Sequence, residues 1–403
     1  MLGLTSVCVF LFSALALAFN SGYSLGALVL LLASTYLLWK RPRLNLQRRD
    51  YLLLGTLLLY FSIFTANMLY HADPARELDI PLRALLATPV LLLLLAYPPR
   101  AAAWWGGVAI GAIAGAALAF WQLTVLHMER PQAATSNAIH FGNASMLLGM
   151  LALCGLSWAR EQRHRRVWTT LLLTGALAGI LGSIVSGSRG GWLALPVCGC
   201  IFAAQYSKGR GKHYMAGLLT LFIAVAALAY SLPNSPVRER AIIAIDDLKK
   251  FEYNGNVSTS IGQRIEMWRT AIALSDKNIW FGMGRNGYLA AKQQLVAEGS
   301  MSKTVLDHTN AHNDYFDALV KRGTFGLLTL LALFFIPLTL FARALRHSPP
   351  AARPYALGGV ILCTCYPIFG LTTSSLTLNI GIIMLVFPMV ILWALLRQQE
   401  RTA

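Results

Sequence analysis

From its first residues the chain alternates long apolar blocks with short polar breaks. The blocks run to about 17 to 25 residues, the length an α-helix needs to cross a hydrocarbon core. They fall near residues 3–19, 23–39, 51–68, 80–97, 102–125, 139–158, 167–185, 190–206, 214–231, 324–345, 355–372 and 377–396. A membrane barrel would instead show strands of about ten residues with alternating polarity, so the continuous Leu, Ala, Val and Gly blocks exclude it. The pattern predicts an all-α polytopic membrane protein of about twelve transmembrane helices. Its N-terminus lacks the basic lead of a cleaved signal peptide and is read as the first span.

One stretch breaks the rhythm. Residues 232–323 form a polar insertion between the ninth and tenth spans, long enough to fold into helices of its own. This divides the chain into 1–231 (spans 1–9), 232–323 (a large outer helical loop) and 324–403 (spans 10–12 and a tail). Within the loop, Ile261, Ile265, Trp268 and Ile272 fall on one helical stripe, which predicts an amphipathic helix resting on the bundle or the lipid interface. Residues 278–287, with Gly282, Gly284 and Gly287, predict a turn, and a helical pattern resumes from His312.

Basic residues orient the spans. With both termini inside, Lys40, Arg41, Arg43, Arg48 and Arg49 share one side with Arg160, Arg163, Arg165, Arg166, Lys208, Arg210 and Lys212. The short outer loops hold Arg76, Arg83, Arg130 and Arg189, as the positive-inside rule requires. Composition agrees: 56% of the 403 residues are hydrophobic, only 13% are charged, and the mean hydropathy is +0.56. The net charge of +17 is spread over loops and does not gather on one soluble face, so nucleic acid is excluded as a partner. The six cysteines all lie in apolar blocks and predict neither disulfides nor a thiolate metal site.

Few ionisable groups sit at the membrane edge, and each needs a partner or a task. Arg189, in Ser186-Gly187-Ser188-Arg189-Gly190-Gly191-Trp192, has small neighbours that would let a phosphate or pyrophosphate approach. The alternative is an interfacial Arg snorkelling beside a Trp. Arg83, just inside the fourth span, either snorkels or meets an anion. His308 and His312, four residues apart on an expected helix face, could bind a metal, accept a proton from a hydroxyl, or sit idle at the surface. Arg264 and Arg269 read as a solvated charged face or as ligand contacts. His71, Asp73 and Glu77 are expected to stay solvated, while His127, Glu129, His140 and Asn143 could line a cavity.

Two stretches together carry a resemblance. Arg264-Ile-Glu-Met-Trp268 leading to Gly282-Met-Gly284, and His312-Asn313 leading to Gly323-Thr-Phe-Gly326-Leu327, resemble the family of O-antigen ligases and related polymerases. Ser186-Gly-Ser-Arg189-Gly is similar to that family's other outer Arg site. Lys321-Arg322 departs from it, since relatives often carry an acidic residue before the Gly. The resemblance implies transfer of a glycan from an undecaprenyl-pyrophosphate donor to a lipid A-core acceptor, at the periplasmic face of the bacterial inner membrane. It implies that Arg189 and Arg264 hold the pyrophosphate and that His312 acts at the acceptor. Arg83, His308 and Asn313 are expected as further contacts to the pyrophosphate. It implies no cofactor and no metal, and membrane lipids as surroundings.

Rival readings use the same pattern differently. A glycan polymerase would take a second lipid-linked chain as acceptor, and a protein O-oligosaccharyltransferase a protein. A transporter should place ionisable residues or broken helices at the midplane, whereas these spans read as almost free of charge.

Overall fold

An apolar segment in lipid folds as a helix because each backbone N–H and C=O must then find its partner within the segment. The computed structural model describes residues 1–207, 216–217, 220, 227, 230–231, 236–254 and 256–402, and no strand occurs among them. The helices are α1 (Leu2–Leu15), α2 (Gly22–Ser34), α3 (Arg48–Tyr70), α4 (Asp79–Ala96), α5 (Ala101–Thr124), α6 (Ala138–Cys154), α7 (Arg165–Val185) and α8 (Ala194–Tyr206). After these come α9 (Pro236–Asn254), α10 (Ser260–Ser275), α11 (Gly284–Ala297), α12 (Asp314–His347), α13 (Arg353–Gly370) and α14 (Asn379–Thr402).

Among the described residues, eight helical segments are long and apolar enough to cross a membrane: Gly22–Lys40, Arg48–Tyr70, Ala75–Ala96, Ala101–Thr124, Ala138–Arg160, Arg165–Val185, Asp314–His347 and Asn379–Thr402. Three more of the expected blocks are helices that fall short. The 14-residue α1 spans about 21 Å at 1.5 Å per residue, α8 has 13 residues, and α13 carries Arg353, two prolines and two tyrosines. Most of the block at 214–231, together with Lys208, Arg210 and Lys212, lies outside the described residues. Leu58, Leu59, Phe120, Leu177 and Phe335 are exposed on the bundle. Apolar surface on that scale belongs against lipid, so the chain is a multi-pass membrane protein.

At the centre stands α14, buried from Ile380 to Arg397 and packed against α2, α4 and α13. A second group, α1, α5, α6 and α7, packs through small residues. Where α6 meets α7, a Cβ on Gly179 would lie 2.6 Å from the Gly149 Cα, and the Ser145 hydroxyl donates to the Gly179 carbonyl at 2.9 Å.

The spans are not free of charge. Asp50, fully buried near the start of α3, accepts from Arg397 Nε at 3.0 Å and from Trp393 Nε1 at 2.8 Å. Its other oxygen caps α3 by accepting from the Gln47 N–H at 2.8 Å. Glu400 extends the cluster through Arg49 and through the Ser348 hydroxyl at 2.6 Å. These charges pair at one end of the bundle, where they lock α14 to α3 and to the α12–α13 turn.

The opposite end is built by the insertion. Asp73 accepts from the Arg285 and Asn286 N–H groups at 2.7 and 2.9 Å and so caps α11, while Glu77 pairs with Arg285 at 3.0 Å and Arg322 at 3.7 Å. These carboxylates, expected to be solvated, instead tie the insertion to the loop after α3. The helix α12 kinks at Gly323 (φ 63°), and its freed N–H groups are accepted elsewhere, Thr324 N bonding the Ile279 carbonyl at 2.7 Å. A Cβ at Gly323 would strike the Trp280 backbone, and one at Gly282 (φ 69°) the Lys321 backbone, each at 2.3 Å. The Gly-rich turn and the helix kink therefore fit only each other.

Arg397→Ala leaves Asp50 buried without its cation, which costs about 3–5 kcal/mol. The thermal midpoint of the detergent-solubilised protein should fall sharply, and pairing the change with Asp50→Asn should recover most of the loss.

Candidate active site

Five segments converge at the insertion end. Arg189 opens a one-turn helix (Arg189–Trp192) after α7, and the turn before it is held by Ser188, whose hydroxyl lies 3.5 Å from Asn143 Oδ1 of α6. Helix α9 contributes Arg240, Ile243 and Asp247 from one face, and Arg130 comes from the loop after α5. Helix α10, capped by the Thr259 hydroxyl accepting from the Gly262 N–H at 3.1 Å, contributes Arg264. The loop before α12 contributes His308 and His312. Together these side chains line one cavity of about 300 Å³.

The Arg264-to-Trp268 spacing has a physical reason. One turn along α10 from Arg264, the Trp268 ring packs at 5.9 Å from Phe316, four residues beyond His312. That contact sets α10 on α12 and brings the guanidinium to the imidazoles. The buried stripe of α10 is Met267, Thr270, Ala271 and Leu274, not the expected Ile261, Ile265, Trp268 and Ile272, and Ile272 is exposed. Packing against α9 and α12 on two sides overrides the simple two-faced pattern.

The two histidines are not on a helix. His308 is extended and His312 takes a left-handed φ of 48°, and the helix starts only at Asp314. The loop nevertheless folds back so that His312 Nε2 lies 3.3 Å from His308 Nδ1, with the rings edge to face at 4.6 Å. Lys292 of α11 fixes this loop from beneath: its ammonium donates to the Val305 carbonyl at 2.9 Å and to the His308 carbonyl. It is 1% exposed and sits over the Tyr288 ring. Burial, then Lys321, pushes its pKa down to about 8.

Charge in the cavity is unbalanced. Four guanidinium groups face one carboxylate, Asp247, whose Oδ2 is 4.0 Å from Arg189 Nη2 and has no hydrogen-bond partner among the described residues. Burial lowers the pKa of Arg189, Arg264 and Arg130, and neighbouring guanidinium groups lower each further, while Asp247 pulls that of Arg189 back up. Each still stays protonated, since an Arg pKa lies so far above neutrality. Burial, then His308 and Arg264, pushes His312 down to about 4, and burial lowers His308 as well. Both imidazoles are neutral at pH 7. The cavity thus offers a crowded cationic wall short of counter-anions, with a neutral base at its edge.

The structure brings Arg189, Arg264, His308 and His312 together. It places Asn313 and Arg83 elsewhere. Asn313 is the N-cap of α12, accepting from the Tyr315 and Phe316 N–H groups at 2.9 and 3.1 Å and donating to the Leu371 carbonyl at 3.0 Å. Arg83 pairs with Asp79 at 2.6 Å and lines a different, apolar groove. His140 and Asn143 border a small void beside the cavity. Arg130, Arg240, Asp247 and Lys292 join the site without a sequence signal of their own beyond the outer placement of Arg130. Among the described residues no three His, Cys, Asp or Glu side chains converge as a metal site, and all six cysteines are free.

Lys292→Met removes two charge-assisted hydrogen bonds worth about 1.5–3 kcal/mol each. Amide hydrogen exchange across residues 303–313 should accelerate about tenfold or more, with the helices unaffected.

Residues 174–331 match the family described as O-antigen ligase. That segment supplies every side chain of the cavity except Arg130, Ile139 and Thr372. Along nearly its whole length the chain is also similar to an uncharacterised protein of Haemophilus influenzae, 26% identical over 379 residues that cover 93% of this chain and 94% of the relative. Over residues 174–331, then, the chain is similar to the O-antigen ligase family.

Proposed function

We propose that the chain is an O-antigen ligase, an inverting glycosyltransferase that moves a glycan from undecaprenyl pyrophosphate to lipid A-core at the periplasmic face of the inner membrane. The observation that carries this reading is the cavity in which four arginines and a neutral imidazole meet at one end of a membrane bundle. A sugar held on a lipid pyrophosphate already has a good leaving group, provided that fixed cations meet the charge that grows on it. Arg189, Arg264, Arg240 and Arg130 are those cations, and Asp247 holds Arg189 until the anion arrives. The acceptor oxygen forms a bond to the anomeric carbon from the face opposite the pyrophosphate. The bond between that carbon and the pyrophosphate oxygen breaks, its electron pair leaving with the lipid pyrophosphate. His312 takes the hydroxyl proton, and His308, in contact with its Nε2, holds the ring in place.

The charge of the site explains its idle state. A neutral His312 is a weak base, because its protonated form would be buried and would face His308 and the Arg264 guanidinium. A bound pyrophosphate cancels that repulsion and raises the imidazole pKa where and when the proton must be taken up. The basic loops at the opposite end of the bundle support cytoplasmic termini and an outward-facing cavity.

Purified protein with lipid-linked glycan donor and rough lipopolysaccharide as acceptor tests this. His312→Ala should lower kcat by about 10²–10⁴-fold while the protein still inserts and folds. Substantial remaining transfer would remove His312 from the base role. Arg189→Lys keeps the charge but loses the two-pronged contact, so kcat/KM for the donor should fall about tenfold or more. With subsaturating donor the acid limb of the rate should lie near pH 4, where free His312 gains its proton, rather than near the ordinary histidine value of about 6.5. A limb at the ordinary value would mean that His312 is not the group titrating.

A further inference from the structure

The loop that carries the imidazoles is also the wall of a second cavity. His308 and His312 line the arginine-rich one, while Thr309 and Asn310, between them in sequence, line another of about 260 Å³. The chemistry of this second space differs. Arg76, Arg285 and Arg322 alternate with Glu77 and Asp317 over a floor formed by the buried Tyr60 and Phe64, with Arg322 lying across the Phe64 ring. Glu77 joins Arg285 to Arg322, and Asp317 holds Lys321 at 2.7 Å. Arg76 has no ion-pair partner among the described residues, and it is exposed. Asp314, 5% exposed, also borders this space, and its Oδ2 finds no hydrogen-bond partner there. Interleaved donors and acceptors suit sugar hydroxyls, and the unpaired cation suits an acidic substituent on the sugar. A bare diphosphate belongs in the other cavity, where cations stand almost alone.

A third space adjoins this one. An apolar groove of about 450 Å³ runs between α2, α4 and α14, along Leu25, Leu28, Leu31, Leu86, Ile383 and Phe387, with Arg83 in its wall. Arg83 donates to Asp79 Oδ1 at 2.6 Å and to Asn379 Oδ1 at 3.3 Å, and both of those residues line the second cavity. One guanidinium is therefore the junction between a polar chamber and a greasy channel. Leu25 and Leu28 are 48% and 52% exposed, so the channel opens sideways on the surface that faces lipid.

We propose that the chamber and the groove together seat the acceptor, a lipid-anchored acidic saccharide, with its sugar beside Thr309 and Asn310 and its acyl chains along the groove. The inference rests on the function proposed above and adds where the second substrate enters. Donor and acceptor then approach the His308–His312 loop from its two sides, which is the geometry an attack opposite the leaving group requires. Arg83 becomes a contact to the acceptor's charged headgroup at the chamber mouth, not to the donor.

Kinetics and crosslinking on the full-length protein test it, with lipid-pyrophosphate-linked glycan as donor and rough lipopolysaccharide as acceptor. Arg76→Ala, and separately the groove-filling Leu28→Trp, should raise the acceptor KM about fivefold or more and leave the donor KM within twofold. A photoreactive phenylalanine derivative at position 28 should capture the acceptor, and one at position 243, in the arginine cavity, the donor. A shift in donor KM instead, an unchanged acceptor KM, or acceptor capture at 243 and not at 28 would overturn the inference while transfer by the unaltered protein continues. Acceptor capture at 28 without any transfer by the unaltered protein would leave this site standing and overturn the ligase reading.

Discussion

Four guanidinium groups gathered round a single carboxylate, with Arg189 and Arg264 partly buried, are a standing electrostatic cost that the surrounding frame has to hold. Like charges brought out of water repel strongly and relax apart unless their backbones are fixed. Two of them are set by different devices. Arg189 sits behind a turn pinned to α6, and Arg264 is placed by the Trp268 contact with Phe316. In the function proposed above, that cost returns as affinity for an anion that supplies the missing charge, because the site need not reorganise when the anion arrives.

The supports of the site are themselves polar and at least half-buried. Lys292 beneath the His308 loop, Asp73 at the start of α11 and Glu77 between Arg285 and Arg322 each satisfy backbone or charge that would otherwise be stranded. The mutual fit of Gly282 and Gly323 joins the insertion to the first membrane turn of α12 with almost no slack. At the far end, Asp50 with Arg397 does the same for α14 and α3. The bundle thus has a rigid frame at both ends, and its reactive groups are carried on loops between fixed points.

Hydropathy made most of the helices legible, because a lipid-facing segment must advertise itself along its whole length. It was less informative for α13, which is buried among other helices and can afford Arg353, prolines and tyrosines. Arg189, Arg264 and His312 were legible through motifs whose spacing reflects real contacts. Arg240, Asp247 and Lys292 were not, since nothing in one sequence distinguishes a charge on a solvated helix from one turned into a cavity. The expected helix face for His308 and His312 gave the right neighbours for the wrong reason: a left-handed residue in a loop, not a helical turn, brings the rings together. Asn313 reads as a polar site residue in the sequence, yet its side chain is spent on capping α12.

The central claim is that the arginine cavity recognises a diphosphate. Binding of undecaprenyl pyrophosphate and of undecaprenyl monophosphate to the protein in nanodiscs, with and without Arg189→Ala and Arg264→Ala together, measures it directly. The account predicts that the unaltered protein prefers the pyrophosphate by about tenfold or more, roughly 1.4 kcal/mol, and that the doubly altered protein does not discriminate. Equal affinity for the two lipids, or a preference that survives loss of both arginines, would contradict it.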